Sequence, residues 1–392
     1  MAGTSFLHGT RLTIDDKAYI ETRIMATDTI GVVCTSEDAD PEVFPLDRCV
    51  LVLDIKSAIA KAGTKGTLAE TLQAIDSEVR APVVVVRVAE GETDEETVAN
   101  IIGKINADDT YTGLKVLDLA PSQIGLTPRI FSIPLYDKSE AVAKALAEHA
   151  ERNYGFAYMS MSHCENIAEA LVYREKFANN CGMFFYGDII KFNTALAMEV
   201  EHYAAPQIAG LRAFLDQTKG WHYSISNNVM KGVVGLTKEV SYSGINGYGT
   251  GANTLNEKGI SCLVLDEGYR TWGNRTTAGA DSSMYFEVFT RSSQVAAITL
   301  ANLLKNMTQD QPMNPARLDQ FKQSGDAILY DWQRAGRILG GEIILHPELN
   351  GDDALMSGRP DWLLELTAVS PIESPGLTVR LSDKFIKNAV GG

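Results

Sequence analysis

Ten residues from Gly244 to Asn253, GINGYGTGAN, carry glycines at Gly247, Gly249 and Gly251. Closely spaced glycines can bring backbone N–H groups around a phosphate. That requires a strand–loop–helix unit near the start of a parallel sheet, with an acid about twenty residues on. Here the spacing differs and the preceding EVSYS reads as an antiparallel edge, so a surface loop is expected. Gly63–Thr67, GTKGT, lacks the Gly-Lys-Ser/Thr ending of a P-loop and reads as a turn before a helix. The six histidines (His8, His149, His163, His202, His222, His346) are scattered, and no His-x-x-x-His or Cys-x-x-Cys spacing offers two metal ligands from one turn. His163 and Cys164 are adjacent and would project in different directions. No Gly-x-Ser-x-Gly elbow is present, and Asp352 with Asp353 reads as a solvated pair in a loop. These residues nominate no catalytic, cofactor-binding or metal-binding site.

One stretch is richer. Gly268–Thr276, GYRTWGNRT, places two arginines, an indole, a phenol and two glycines at the end of the apolar run Ile260–Leu265, without a histidine, cysteine or carboxylate. Arg and Trp fix interfaces by planar hydrogen bonding and by buried area. Tyr269, Arg270, Trp272, Asn274 and Arg275 are therefore expected to clamp the fold or a subunit contact, with Arg270 or Arg275 pairing a carboxylate such as Glu257 or Asp266.

The elements around it follow from periodicity. TKGTLAETLQAID and DEETVANIIGKIN read as helices, the second with acids in its first turn, where they complement the helix dipole. APVVVVRVAEG reads as a strand buried on both faces, because four consecutive valines cannot alternate between core and water. PRIFSIPL, GFAYMSM and CGMFFYGD read as strands alternating with the helices KSEAVAKALAEHAERN and CENIAEALVYREKFA, which implies a mostly parallel sheet covered by helices. After about Ala195 the rhythm changes to a helix (AAPQIAGLRAFLDQTKG), strands in KGVVGLTKEVSYS, a helix from about Val295 to Met307, a helix in NPARLDQFKQSGDAILYDWQRAG, and two final strands, DWLLELTAVSP and PGLTVRLSD.

At 392 residues the chain should hold two or three packed units, and a hydrophobic fraction of 45% is ample for their cores. The net charge of −15 argues against nucleic acid and against direct binding to an anionic membrane. It is uneven: residues 1–200 hold 30 acids and 18 bases, residues 201–392 hold 20 and 17. No window is long and apolar enough to span a bilayer, the first residues lack the pattern of a signal peptide, and five widely spaced cysteines suit free buried thiols. Both ends resemble strands. SFLHGTRLTI carries Phe6, Leu7, Leu12 and Ile14, and GLTVRLSDKFI carries Leu377, Val379, Leu381 and Phe385. Free edges of this type invite pairing, either within the chain or with a neighbour.

The order of HGTRLT, APVVVVRVAEG, TGLKVLDLAPSQIGLTPRIFSIP, APQIAGLRAFLDQTKGWHYSISNNVMKGVVG, LNEKGISCLVLDEGYRTWGNRT and GRILGGEIILHPELN resembles that of contractile tail sheath proteins, the major sheath subunits of contractile-tailed bacteriophages and R-type pyocins. The resemblance covers nearly the whole chain and is most specific over 206–276. It implies an α/β fold (α+β overall): an inner mixed domain built from both chain ends, with arm strands donated to neighbours, and an inserted outer α/β domain. The corresponding boundaries are 1–27 for the N-terminal arm and first strands, 28–200 for the outer domain of one or two subdomains, 201–375 for the inner tube-facing domain, and 376–392 for the C-terminal arm. It further implies homo-hexameric rings stacked helically around a tail tube, contact with baseplate and tail terminator proteins, assembly in the host bacterial cytoplasm into a virion tail, and no cofactor or enzymatic activity. Asn350, Leu355 and Arg359 match the family's tube-facing region. The alternatives are the sheath of a bacteriocin or other contractile injection system and, from a different class, an α/β enzyme with an appended β domain.

Overall fold

The computed structural model describes residues 26–194, 196–279 and 281–386. Phe6, Leu7, Leu12 and Ile14 lie outside the described residues. The N-terminal part of the described chain runs β1 (Ile30–Thr35), β2 (Cys49–Val52), α1 (Ile55–Ile59), α2 (Leu68–Glu78), β3 (Val83–Val88), α3 (Asp94–Ile102), α4 (Ala120–Ile124), β4 (Ile130–Ser132), α5 (Glu140–Arg152), β5 (Phe156–Ser160), α6 (Ile167–Arg174) and β6 (Gly182–Tyr186). It continues with β7 (Ile189–Asn193), β8 (Met198–His202), α7 (Ala204–Thr218), β9 (Val233–Leu236), α8 (Gly251–Glu257), β10 (Ile260–Leu265) and β11 (Tyr269–Trp272). The C-terminal part holds α9 (Glu287–Thr308), α10 (Pro315–Arg334), β12 (Ile338–Leu345), α11 (Asp352–Met356) and β13 (Trp362–Ala368).

The fold is mixed α/β. Eight strands form one sheet in the order β11-β10-β6-β5-β4-β1-β3-β2, parallel except for the edge strands β2 and β11. All six residues of β3 are buried, and alternate valines point to opposite faces. Val83 and Val85 join Ile30, Val32, Tyr158 and Phe185 beneath α2 and α7, while Val84 and Val86 join Val33, Phe131 and Phe184 beneath α3 and α5. Helix α3 begins where Thr93 accepts the Glu96 N–H at 3.2 Å, with Asp94, Glu95 and Glu96 in its first turn.

Strands from both sides of the expected 200/201 boundary build this sheet, since β10 pairs with β6 in parallel. A second unit has its own core: Leu300, Leu303, Phe321, Leu329, Trp332 and Ile343 pack α9 and α10 against the antiparallel pair β12–β13. Trp221, from the loop after α7, packs edge-on against Trp332 at 5.3 Å between ring centroids and ties the two units together. A third, small sheet, β8-β7-β9, flanks the first.

Three expectations about elements change. Helix α9 begins eight residues before Val295, at Glu287, because its first two turns bury charges instead of an apolar stripe. EVSYS forms no strand, and the glycine-rich stretch ends inside α8, whose first residue is Gly251. PGLTVRLSD forms no strand, and no ladder among the described residues includes residues 377–385. Strands β2, β7, β8 and β12 were not expected, β12 because Gly340 and Gly341 interrupt its alternation.

Two carboxylates converge on Ser160 at the C-terminal end of β5. Asp137 accepts the Ser160 N–H at 2.7 Å; Asp188 accepts its hydroxyl at 3.1 Å and the Ala204 N–H at the start of α7 at 2.9 Å. Burial, then the nearby Asp188 charge, pushes the Asp137 carboxyl well above the usual carboxylate range. An acid whose folded pKa is raised stabilises fully below its unfolded value, about pH 4, and loses that contribution as pH rises through the folded value. Asp137→Asn is therefore expected to flatten the fall in stability above pH 4. Urea midpoints at pH 4 and pH 8 check this, with the variant gaining on the parent only at the higher pH.

Candidate functional site

The parallel strands direct attention first to their C-terminal ends, where open α/β sheets bind ligands at the point of strand-order reversal. That point lies between β1 and β4. It is filled by side chains: Thr35 is buried there and Tyr136 half-buried, and beside them His202 Nδ1 meets Glu70 Oε1 at 3.0 Å. A groove of about 560 Å³ lies at the opposite end, before β6, lined by Lys144, Glu148, Glu151, Lys176 and Asn179. No group of three or more His, Cys, Asp or Glu among the described residues could hold a metal. All five cysteines are free, four of them buried and Cys49 half-buried.

The GYRTWGNRT stretch is strand β11 and the turn after it, on the edge of the large sheet. Tyr269 donates its hydroxyl to the Val234 carbonyl of β9 at 2.8 Å, joining the large sheet to the small one. Arg270 donates to Asn227 Oδ1 at 2.7 Å, so its partner is an amide and not a carboxylate. Trp272 packs edge-on against Tyr242, whose hydroxyl in turn donates to Asp266 at 3.0 Å. Gly273 has φ 130°, and a Cβ there would lie 2.3 Å from Asn256 Oδ1 and 2.4 Å from Ser261 Oγ, so no side chain fits. Asn274 is buried, and its carbonyl accepts the Glu287 N–H at 2.9 Å, which sets the start of α9.

Arg275 reaches much further than expected. Its Nε and Nη2 each donate at 2.9 Å to the two oxygens of Glu373, 98 residues on, at the base of the C-terminal segment. Neither Glu257 nor Asp266 is the partner. The fork to Glu373 is the leading cause that raises the Arg275 pKa.

Beneath the large sheet, against β5, lies a charge cluster that the sequence reading passed over. Arg212 and Asp216 of α7, Glu287 and Arg291 of α9, and Tyr158 of β5 meet in the interior; the side chains of Arg212, Asp216 and Glu287 are fully buried. Arg212 contacts Asp216 at 2.8 Å and Glu287 at 3.4 Å and donates to the Tyr223 carbonyl at 2.6 Å. Arg291 pairs with the other oxygen of Asp216. Glu287 also accepts the Ile225 N–H at 3.2 Å and the Tyr158 hydroxyl. Burial alone would lower the Arg212 pKa, but the carboxylates of Asp216 and Glu287 reverse this and hold it above its ordinary value. The signal was present as an arginine and an aspartate four residues apart within an otherwise apolar helix.

The remaining nominated residues are separate from this region. Leu377, Val379, Leu381 and Phe385 are 90%, 79%, 97% and 65% exposed, the first three on chain without regular secondary structure and Phe385 in a turn. Asn350 staples the connection between β12 and β13, donating to the His346 and Asp361 carbonyls at 2.8 and 2.9 Å and accepting the Asp361 N–H at 2.8 Å. Leu355 is half-buried on α11 beside the exposed Met356, and Arg359 is exposed.

The family model for the phage tail sheath protein central domain matches residues 109–277. The chain is 36% identical to the tail sheath protein of Escherichia phage P2 over 93% of each chain. It is 34% identical to the major tail sheath protein of Serratia phage KSP20 over 98% of each. Its fold matches the helical sheath of the anti-feeding prophage in the contracted state with a TM-score of 0.67, at 14% identity, over 97% of this chain and 100% of that one.

Removing one member of a buried charge network leaves its partners uncompensated, which costs about 3–5 kcal/mol. Arg212→Ala and Glu287→Ala are each expected to destabilise the subunit by that amount in urea titrations. Arg270→Ala, which loses one exposed bond to an amide, should cost less than about 1 kcal/mol in the same assay.

Proposed function

The chain belongs to the phage tail sheath family and is a subunit of a contractile sheath, and from that premise we propose how it assembles and works. Subunits form hexameric rings that stack helically around a tail tube, seated on a baseplate and closed by a terminator, in a virion tail assembled in the host cytoplasm. A head-to-tail interface that does not close on itself generates such an open polymer.

The observation that carries this reading is the pairing of an exposed, alternating C-terminal segment with a two-stranded sheet that can accept it. Leu377, Val379 and Leu381 present one apolar edge face, and β12–β13 keeps one partnerless edge on each strand among the described residues. Strand addition from a neighbour would hydrogen-bond the backbone of the segment and cover its side chains. Residues 376–392, and by the same logic 1–27, then act as arms that link subunits into a mesh. Within residues 201–375, Asn350, Leu355 and Arg359 lie near the tube contact, and the acidic segment 28–200 lies outside together with β10 and β11, which complete its sheet. The exposed Met356 marks the α11 turn as the part of this region with apolar surface to bury.

Contraction in this reading needs no nucleotide. The extended lattice is held by tube and baseplate contacts, the contracted lattice is lower in free energy, and many weak tube contacts act together. The subunit plays a mechanical role and catalyses no reaction.

Negative-stain microscopy of the protein expressed alone should show long striated hollow cylinders. Deleting residues 376–392 should leave folded subunits, as judged by circular dichroism, that no longer polymerise. Cylinders of normal length from the truncated chain would sink the arm assignment.

A further inference from the structure

We propose that Arg275 and Glu373 form a latch that fixes the direction in which the C-terminal segment leaves the subunit, so that the segment swings only beyond Gly376. This rests on the reading of residues 376–392 as an arm. The two bonds from Nε and Nη2 to the two carboxylate oxygens, both 2.9 Å, constrain orientation as well as distance, because both groups are planar. The guanidinium is also braced by Tyr285, with its carbon 6.0 Å from the ring centroid, and by the backbone bridge between Arg275 and Phe286. Its position is thus set by the large sheet and by the start of α9.

The covalent chain carries that orientation outward. Glu373 sits between Pro371 and Pro375 in the sequence Ser-Pro-Ile-Glu-Ser-Pro-Gly. Proline fixes its own φ and restricts the residue before it, so Ser374 and Pro375, which follow Glu373 directly, hold a bend with little backbone freedom. Gly376 follows at once, with nothing within 4 Å of where a Cβ would stand. It is the first position with wide backbone freedom. From Leu377 onward every described residue is exposed. Pinned at Glu373, stiff to Pro375 and free at Gly376, the segment presents Leu377, Val379 and Leu381 to a neighbour from a defined point of departure.

The latch is a positioning device, so its loss should impair assembly and spare the fold. Both side chains are partly exposed, 27% for Arg275 and 37% for Glu373, and such pairs add little to stability. Four full-length variants test this: Glu373→Arg, Glu373→Gln, Arg275→Glu and the charge swap Arg275→Glu with Glu373→Arg. The readouts are the critical concentration for polymer by sedimentation, cylinder length by microscopy, and the melting temperature of the unassembled subunit. The single variants are expected to raise the critical concentration roughly tenfold with melting within about 3 °C of the parent. The swap should return it to within about twofold. Glu373→Gln serves where a reversal fails to fold, since it lies outside both cores and changes one charge. Unchanged assembly of the folded single variants, or a folded swap that stays as defective as they are, overturns the latch. If deletion of 376–392 itself leaves assembly intact, the arm reading fails and the latch fails with it; if deletion abolishes assembly while Glu373→Arg does not, only the latch is lost.

Discussion

Five side chains meeting in the interior hold the molecule to one geometry. Arg212, Asp216, Glu287, Arg291 and Tyr158 come from a helix beneath the sheet, from the long helix that leaves it, and from a central strand. An apolar contact tolerates sliding, because any neighbouring hydrocarbon will do. Buried opposite charges do not, since each has partners only in one register and desolvation penalises every other. The cluster therefore fixes the angle at which α9 leaves the large sheet. The second unit, the Trp221–Trp332 contact and the point of departure of the C-terminal segment all follow from that angle.

The GYRTWGNRT stretch serves the same end. Four of its residues bond different parts of the chain: Tyr269 the small sheet, Arg270 the 227 turn, Asn274 the first residue of α9, Arg275 the C-terminal segment. It is a junction at which four elements are fastened.

Much of the large sheet was legible because its signals are local. Four valines in β3 and the acids opening α3 state their roles within a single element. The glutamate and arginine in the first two turns of α9 did the opposite. The sequence reading singled out neither Glu287 nor Arg291, and the helix was expected to begin only at about Val295, where its apolar face starts. Whether a charge is buried depends on a partner elsewhere in the chain, and Arg212 lies 75 residues from Glu287. Arg275 was singled out correctly as worth explaining, yet nearby carboxylates were expected where a distant one stands, since sequence proximity says little about which acid a long guanidinium will reach. The C-terminal stripe was visible as alternation, but no local pattern says whether such a stripe pairs at home. Among the described residues it does not.

Helix α9 spans both units: Glu287 and Arg291 sit in the charge cluster, while Leu300, Leu303 and Met307 sit in the second core. Twenty-two residues at 1.5 Å rise make it about 33 Å long. A rod of that length, held at one end, works as a lever. Tilting it by about 10° at the charged end would carry the far end roughly 6 Å, a little more than the spacing between paired strands. Small angular changes at a fulcrum of five side chains are thus geared up to displacements on the scale of a whole strand register.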